Sequence, residues 1–210
     1  LRSLYAIVDL GVLAAAKIDP LTFALRVIEF RPAAVQVRGK HATAREVLTL
    51  LEELAPVCNK AGVLLVNNDR VDLALAGQCD MVHLGQDDMP IAAARRVGKI
   101  GVGLSTHTPE QLRRALASRP DYVAYGPIFA TSSKENHEPV VGLEGLITAR
   151  AIVRESKFSG IPLVAIGGIT AENAAKVSEH ADAIAVIGAL VGEDVSDRVR
   201  ALQHAVGEKR

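Results

Sequence analysis

Eight apolar, β-branched runs recur along this chain with helical stretches between them, and that alternation constrains the fold more than any single residue. The runs cover residues 4–8, 33–37, 63–67, 81–84, 100–104, 122–126, 162–166 and 183–187. Several are continuously apolar rather than alternating, the pattern of parallel strands buried on both faces. The segments between them carry a helical period. In residues 43–60, Val47, Leu50, Leu51, Leu54 and Cys58 fall three or four apart and form one apolar stripe. Pro56 weighs against the last turn of that helix. Thr108-Pro109-Glu110 and Thr170-Ala171-Glu172 read as helix starts, each a hydroxyl followed by an acid near the positive end. Eight strands alternating with helices fit a single-domain α/β fold, a (β/α)8 TIM barrel over residues 1–210. An open doubly wound sheet is the other arrangement the pattern allows.

Composition narrows the function classes. Lys plus Arg and Asp plus Glu each total 24, so the formal charge is zero and no overall cationic field attracts nucleic acid or an anionic membrane. Any anion must be held locally. With 49% apolar but only 3% aromatic residues, the core is expected to be Val, Leu, Ile and Ala. No run reaches a membrane-spanning length and no signal peptide is evident. Cys58 and Cys79 read as reduced thiols, so a cytoplasmic location is expected. The chain leaves monomer and homo-oligomer open.

Polar or glycine-bearing motifs follow the apolar runs, where parallel α/β folds build their sites. In Gln36-Val37-Arg38-Gly39-Lys40, period-two geometry sends Gln36, Arg38 and Lys40 to one side. Two cations and an amide together suit a pyrophosphate and a heterocycle; a solvated strand end is the plainer reading. Asn68-Asp69 and Gln86-Asp87-Asp88 end the third and fourth strands. Carboxylates at neighbouring strand ends can share a Mg²⁺ with phosphate oxygens, whereas singly Asp69 or Asp88 could be a helix N-cap. Thr131-Ser132-Ser133-Lys134 lies early in the long irregular stretch 127–142 and could close over phosphates; alone it is an ordinary polar loop. Gly167-Gly168 and Ile187-Gly188 end the last two strands, where backbone N–H groups bind phosphate in many barrels; tight turns or close packing are the alternative. Ser105 reads as a hydrogen-bond donor to an anion, while His107 and His137 read as structural and solvated.

The ordered set resembles the thiamine-phosphate synthase family across nearly the whole chain. The stretches that carry it are LYAIVD, QVRGK, NNDRVDLAL, VHLGQDD, GVGLSTHT, YGPIFATSSK, VAIGGIT and AVIGAL. The resemblance implies a transferase that joins an aminopyrimidine diphosphate to a thiazole phosphate and releases pyrophosphate, through a pyrimidine-methyl cation. It implies that Gln36, Val37, Arg38, Gly39, Lys40, Asn68, Ser105 and Lys134 surround the pyrimidine diphosphate, with Arg38, Lys40, Ser105 and Lys134 closest to the chemistry. Asp69 and Asp88 would hold Mg²⁺, and Thr131, Ser132, Ser133, Gly168, Ile187 and Gly188 would surround the thiazole phosphate.

This chain departs from the family's pattern in four places. Gly39 replaces a common acid, Ala130 a proline, Ser133 a threonine and Gly188 a serine. Related thiazole tautomerases place a catalytic His where Pro127 stands, which argues against that reading. A sugar-phosphate isomerase or epimerase would need a general acid–base pair at strand ends. A phosphate-ligand-binding protein without turnover is the non-enzymatic rival.

Overall fold

Each apolar run forms one strand, and the strands close on themselves. In the computed structural model, which describes residues 3–131 and 139–207, the strands are β1 (Ser3–Asp9), β2 (Ala34–Arg38), β3 (Leu64–Asn68), β4 (Met81–Leu84), β5 (Gly101–Thr106), β6 (Tyr122–Tyr125), β7 (Leu163–Ile166) and β8 (Ala183–Val186). All pair in parallel and in sequence order, and β8 returns to β1 with Ser3 opposite Ala183 and Ala6 opposite Val186. Closure rules out the open sheet. The helices are α1 (Leu10–Ala15), α2 (Pro20–Ile28), α3 (Ala44–Ala61), α4 (Val71–Ala76), α5 (Ile91–Val97), α6 (Pro109–Ala117), α7 (Gly142–Glu155), α8 (Ala171–Ser178) and α9 (Val195–Ala205). A 3-10 turn, Gly188–Leu190, follows β8 directly. Among the described residues no helix is long and apolar enough to cross a membrane.

Alternation along the strands makes an inner and an outer apolar layer. Leu4, Ala6 and Val8 point outward and pack with Leu51, Leu54, Leu112, Leu146 and Leu202 from the helices. Tyr5, Ile7, Val66, Tyr122, Val164 and Ala185 point inward and fill the barrel. This double burial explains why the strands read as unbroken apolar runs.

The expected helix over residues 43–60 extends one residue further, and Pro56 does not end it. Pro56 and Glu52 lie on the exposed face. The Glu52 carbonyl that loses its intrahelical partner can therefore take one from water, while buried Leu54 and Cys58 hold the helix on both sides of the proline. Thr43 caps the start by accepting from the Glu46 N–H, and the Glu46 carboxylate accepts from the Thr43 N–H at 2.8 Å. Thr108 likewise accepts from the Gln111 N–H at 3.2 Å.

One device recurs at the amino-terminal rim. The carboxylates of Asp80, Asp121 and Asp182, each just before an even-numbered strand, accept from the N–H of Leu65, Val102 and Leu163 on the preceding strand at 2.7–2.8 Å. Arg95 and Arg150 hold Asp121 and Asp182 at 3.0 and 2.8 Å. These pins fasten the strand starts and leave the opposite rim free to carry the site.

Candidate active site

At the carboxyl-terminal rim the strand ends surround a cavity of about 600 Å³. Gln36, Arg38 and Lys40 leave β2 at alternate positions and all three line it. Asn68, Asp69, Asp88 and Ser105 line the same cavity from β3, β4 and β5. Seven of the residues singled out in the sequence are thus brought together.

Lys40 Nζ lies 2.6 Å from Asp69 Oδ2, linking the end of β2 to the end of β3. Asp69 adopts a left-handed backbone with φ of 61°, which turns its side chain back over the cavity. Burial holds its carboxyl above the usual range, the Lys40 ammonium opposes that, and the neighbouring Asp88 carboxylate reinforces it. Asp88 accepts from the Gly85 N–H at 2.6 Å, so the loop after β4 curls around its own acid. Neither aspartate is an N-cap. Arg70 precedes α4 and Pro90 precedes α5, neither with a side-chain capping bond. The capping alternative is therefore set aside for both, because the chain runs on past each acid before its helix begins. Among the described residues no cluster of three or more His, Cys, Asp or Glu side chains forms a self-sufficient metal cage. The pair suits a hard divalent cation that takes its remaining ligands from phosphate and water, and such a cation would relieve the crowding between the two carboxylates.

The Arg38 guanidinium pairs with Asp9, which is 4% exposed and lies at the end of neighbouring β1. Asp9 also caps α1, accepting from the Val12 N–H at 3.0 Å. That pair anchors the guanidinium at the cavity wall.

Other expected residues lie elsewhere. Val37 is fully buried in the layer between sheet and helices, so its side chain faces away from the cavity. A Cβ at Gly39 would stand 2.7 Å from Val47 Cγ2 and 3.1 Å from Leu10 Cδ1. The close cover of Leu10 and Val47 accounts for the glycine at position 39. Gly167 and Gly168 have φ of 104° and 63°. Added Cβ atoms there would stand 2.5 Å from Pro127 Cβ and 2.6 Å from the Ala130 carbonyl oxygen. Close packing against the loop after β6 thus requires both glycines whether or not phosphate binds there. The Phe129 N–H donating to the Gly167 carbonyl at 3.0 Å holds that loop in place. Ile187 packs inside the barrel, and Gly188 opens the 3-10 turn. Thr131 is partly exposed beside this loop, and Ser132, Ser133, Lys134 and His137 lie outside the described residues. His107 lines the cavity but its Nδ1 lies 2.7 Å from the Gly126 carbonyl oxygen, a bond that ties β5 to β6.

Sequence reasoning missed Tyr5, Asp9, His83 and Tyr122, which also line the cavity. A signal was present. Tyr5 and Asp9 share the phase of Ile7, Tyr122 shares that of Ala124, and His83 alternates with outward-packed Val82 and Leu84, so each faces the barrel interior.

Comparisons with known proteins bear on the family and the fold. Residues 4–190 match the family model described as thiamine monophosphate synthase. The chain belongs to that family. It is 44% identical to the thiamine-phosphate synthase of Chloroflexus aurantiacus, over 83% of this chain and 81% of that one. It is 41% identical to the thiamine-phosphate synthase of Methanocella arvoryzae, over 99% and 96% respectively. The solved thiamine phosphate pyrophosphorylase of Pyrococcus furiosus superposes with a TM-score of 0.84 at 35% identity, covering 98% of this chain and 95% of that one. The solved relative bears out the barrel, and the near-full-length relatives favour the synthase over the sugar-phosphate isomerase and thiazole tautomerase readings.

Proposed function

We propose that this family member makes thiamine phosphate from an aminopyrimidine diphosphate and a thiazole phosphate, with Mg²⁺ bound between Asp69 and Asp88. The observation that carries this reading is the crossed pairing at the rim: a cation from β2 and an acid from β3 neutralise each other beside a second acid from β4. A diphosphate with its metal offers both groups a replacement partner. Lys40 would exchange its carboxylate partner for a phosphate oxygen, and Asp69 would be among the residues that hold the metal. Such an exchange keeps every charge paired as the ligand enters.

Bound Mg²⁺ would neutralise charge on the departing pyrophosphate. The other steps belong to side chains. Arg38, braced by Asp9, donates to diphosphate oxygens at the cavity wall. The bond from the pyrimidine methylene carbon to the diphosphate oxygen breaks, and its electron pair leaves with pyrophosphate. The thiazole nitrogen then supplies the pair for the new C–N bond. Apolar walls from Ile7, Ala124, Val164 and Ile166 keep water from competing for the electron-poor carbon. Lys134 would add a further cation from the loop after β6, and Thr131, Ser132, Ser133, Gly168, Ile187 and Gly188 would hold the thiazole phosphate.

Activity at limiting Mg²⁺ tests the metal assignment. Asp69→Asn and Asp88→Asn should each lose most turnover and demand more Mg²⁺ while remaining folded. Parental turnover by both variants at limiting metal would remove Asp69 and Asp88 as its ligands.

A further inference from the structure

A continuous chain of buried hydrogen bonds crosses the floor of the cavity. Gln36 Nε2 donates to the Tyr5 hydroxyl at 2.7 Å, and the Tyr5 and Tyr122 hydroxyls lie 2.8 Å apart. The Tyr122 hydroxyl is 2.7 Å from His83 Nδ1, and His83 Nε2 is 2.8 Å from the Ser105 hydroxyl. All five side chains are buried, and all five line the cavity. The His83 and Tyr122 rings stack with centroids 5.5 Å apart, and Tyr122 occupies space that any Cβ at Gly103 would enter, at 2.0 Å from Cζ. The chain is thus held by packing as well as by polar contacts.

With Gln36 Nε2 donating to Tyr5, the hydrogens of the chain run one way. Because Gln36 donates, the Tyr5 oxygen accepts, and the Tyr5 hydrogen goes on to Tyr122. The Tyr122 hydrogen then goes to His83 Nδ1, which must be unprotonated. That fixes the imidazole as its Nε2–H tautomer, donating to Ser105. Burial pushes both phenols well above their ordinary range, so each keeps the hydrogen it must pass on. Gln36 therefore keeps its carbonyl oxygen for the cavity, and Ser105 keeps its hydroxyl hydrogen.

We propose that the chain from Gln36 through Tyr5, Tyr122 and His83 to Ser105 is a one-directional relay that presents an acceptor at one end of the cavity and a donor at the other, selecting a 4-aminopyrimidine over its 4-oxo counterpart. The proposal rests on the aminopyrimidine reading given above and adds what enforces that choice. An exocyclic amino group donates to the Gln36 oxygen. The 4-oxo compound turns a second acceptor toward it, which leaves both oxygens unpaired in a buried place. At the far end Ser105 meets a ring nitrogen or a diphosphate oxygen, both acceptors. Tyr5, Tyr122 and His83 are positioning residues: they act by keeping the Gln36 amide from turning over.

Two readouts test the relay. In the ¹⁵N spectrum of histidine-labelled protein, His83 should show a protonated Nε2 and an unprotonated Nδ1; the opposite tautomer, or an even mixture, overturns the proposal. In turnover, the parent should favour the 4-amino over the 4-oxo pyrimidine diphosphate. Tyr122→Phe should cut that kcat/KM preference by about tenfold or more, the cost of one lost hydrogen bond to orientation. Its KM for the thiazole phosphate should not move. Tyr5→Phe should do the same and serves if Tyr122→Phe does not fold. Two folded variants with undiminished preference would overturn the relay. A parent that accepts neither pyrimidine would instead sink the proposed substrate, and the His83 tautomer would still decide the relay.

Discussion

At the residue scale, Gly188 offers the sharpest test of what this chain's departures mean. It opens a 3-10 turn after β8 and is not among the described glycines with positive φ, which include Gly167 and Gly168. A serine is therefore tolerated by the backbone, and Gly188→Ser should melt within a few degrees of the parent. If the thiazole phosphate sits at this turn, the added hydroxyl supplies one hydrogen bond to a charged oxygen, about 1.5–3 kcal/mol at most. The expected result is a lower KM for the thiazole phosphate and an unchanged KM for the diphosphate; an unmoved thiazole-phosphate KM in a stable variant would take the phosphate away from residue 188. Gly168→Ser should behave differently. Its φ of 63° and the Ala130 oxygen 2.6 Å from an added Cβ leave no room, so its melting temperature should fall clearly. Two glycines alike on paper separate once the backbone is known. The difference between Gly168 and Gly188 could not be read from the sequence, because the loop after β6 that crowds Gly168 comes from some forty positions earlier.

At the scale of elements, the two rims of the barrel do different work. Pins such as Asp80 stand at the rim opposite the cavity and hold strand starts through backbone N–H groups. Asp80→Ala leaves the Leu65 N–H without its carboxylate partner and should cost about 1–3 kcal/mol, while kcat at a temperature well below melting stays parental. A loss of kcat without loss of stability would contradict the division of labour. Strand positions were legible in the sequence because burial on both faces removes polar interruptions. The site ends of β2, β3 and β4 were legible because Gln36, Arg38, Asn68, Asp69 and Asp88 interrupt that apolar rule. Tyr5, His83 and Tyr122 showed only an inward phase. A ring with polar atoms inside an apolar strand looks like core until its partners on other strands are known. Pro56 misled in the opposite sense, since its helix is held by tertiary packing rather than by local preference.

For the whole molecule, the buried polar floor has a consequence for stability. Tyr5 and Tyr122 have folded pKa values raised by burial above an unfolded value of 10.0. An acid whose folded pKa is raised gives stability that is complete below its unfolded pKa and declines as pH rises above it. Burial also pushes the Cys58 and Cys79 thiols up to about 12, so their decline starts lower, near their ordinary value of 9.0. The denaturant midpoint should therefore be flat through neutral pH and fall from about pH 9 upward. The part of the fall above pH 10 should be shallower in Tyr122→Phe; an equal slope in both proteins would mean that Tyr122 does not ionise on unfolding. Closure of the sheet joins these groups to the site, because it brings Tyr5 of β1 and Tyr122 of β6 within a hydrogen bond across the barrel. The central claim is that this rim unites two phosphorylated substrates with loss of pyrophosphate. Its most direct test is to incubate the purified protein with the aminopyrimidine diphosphate, the thiazole phosphate and Mg²⁺, and to quantify both products over time. The account predicts thiamine phosphate and pyrophosphate in equal amounts, both suppressed by chelation of the metal. Binding of both compounds without either product would contradict it.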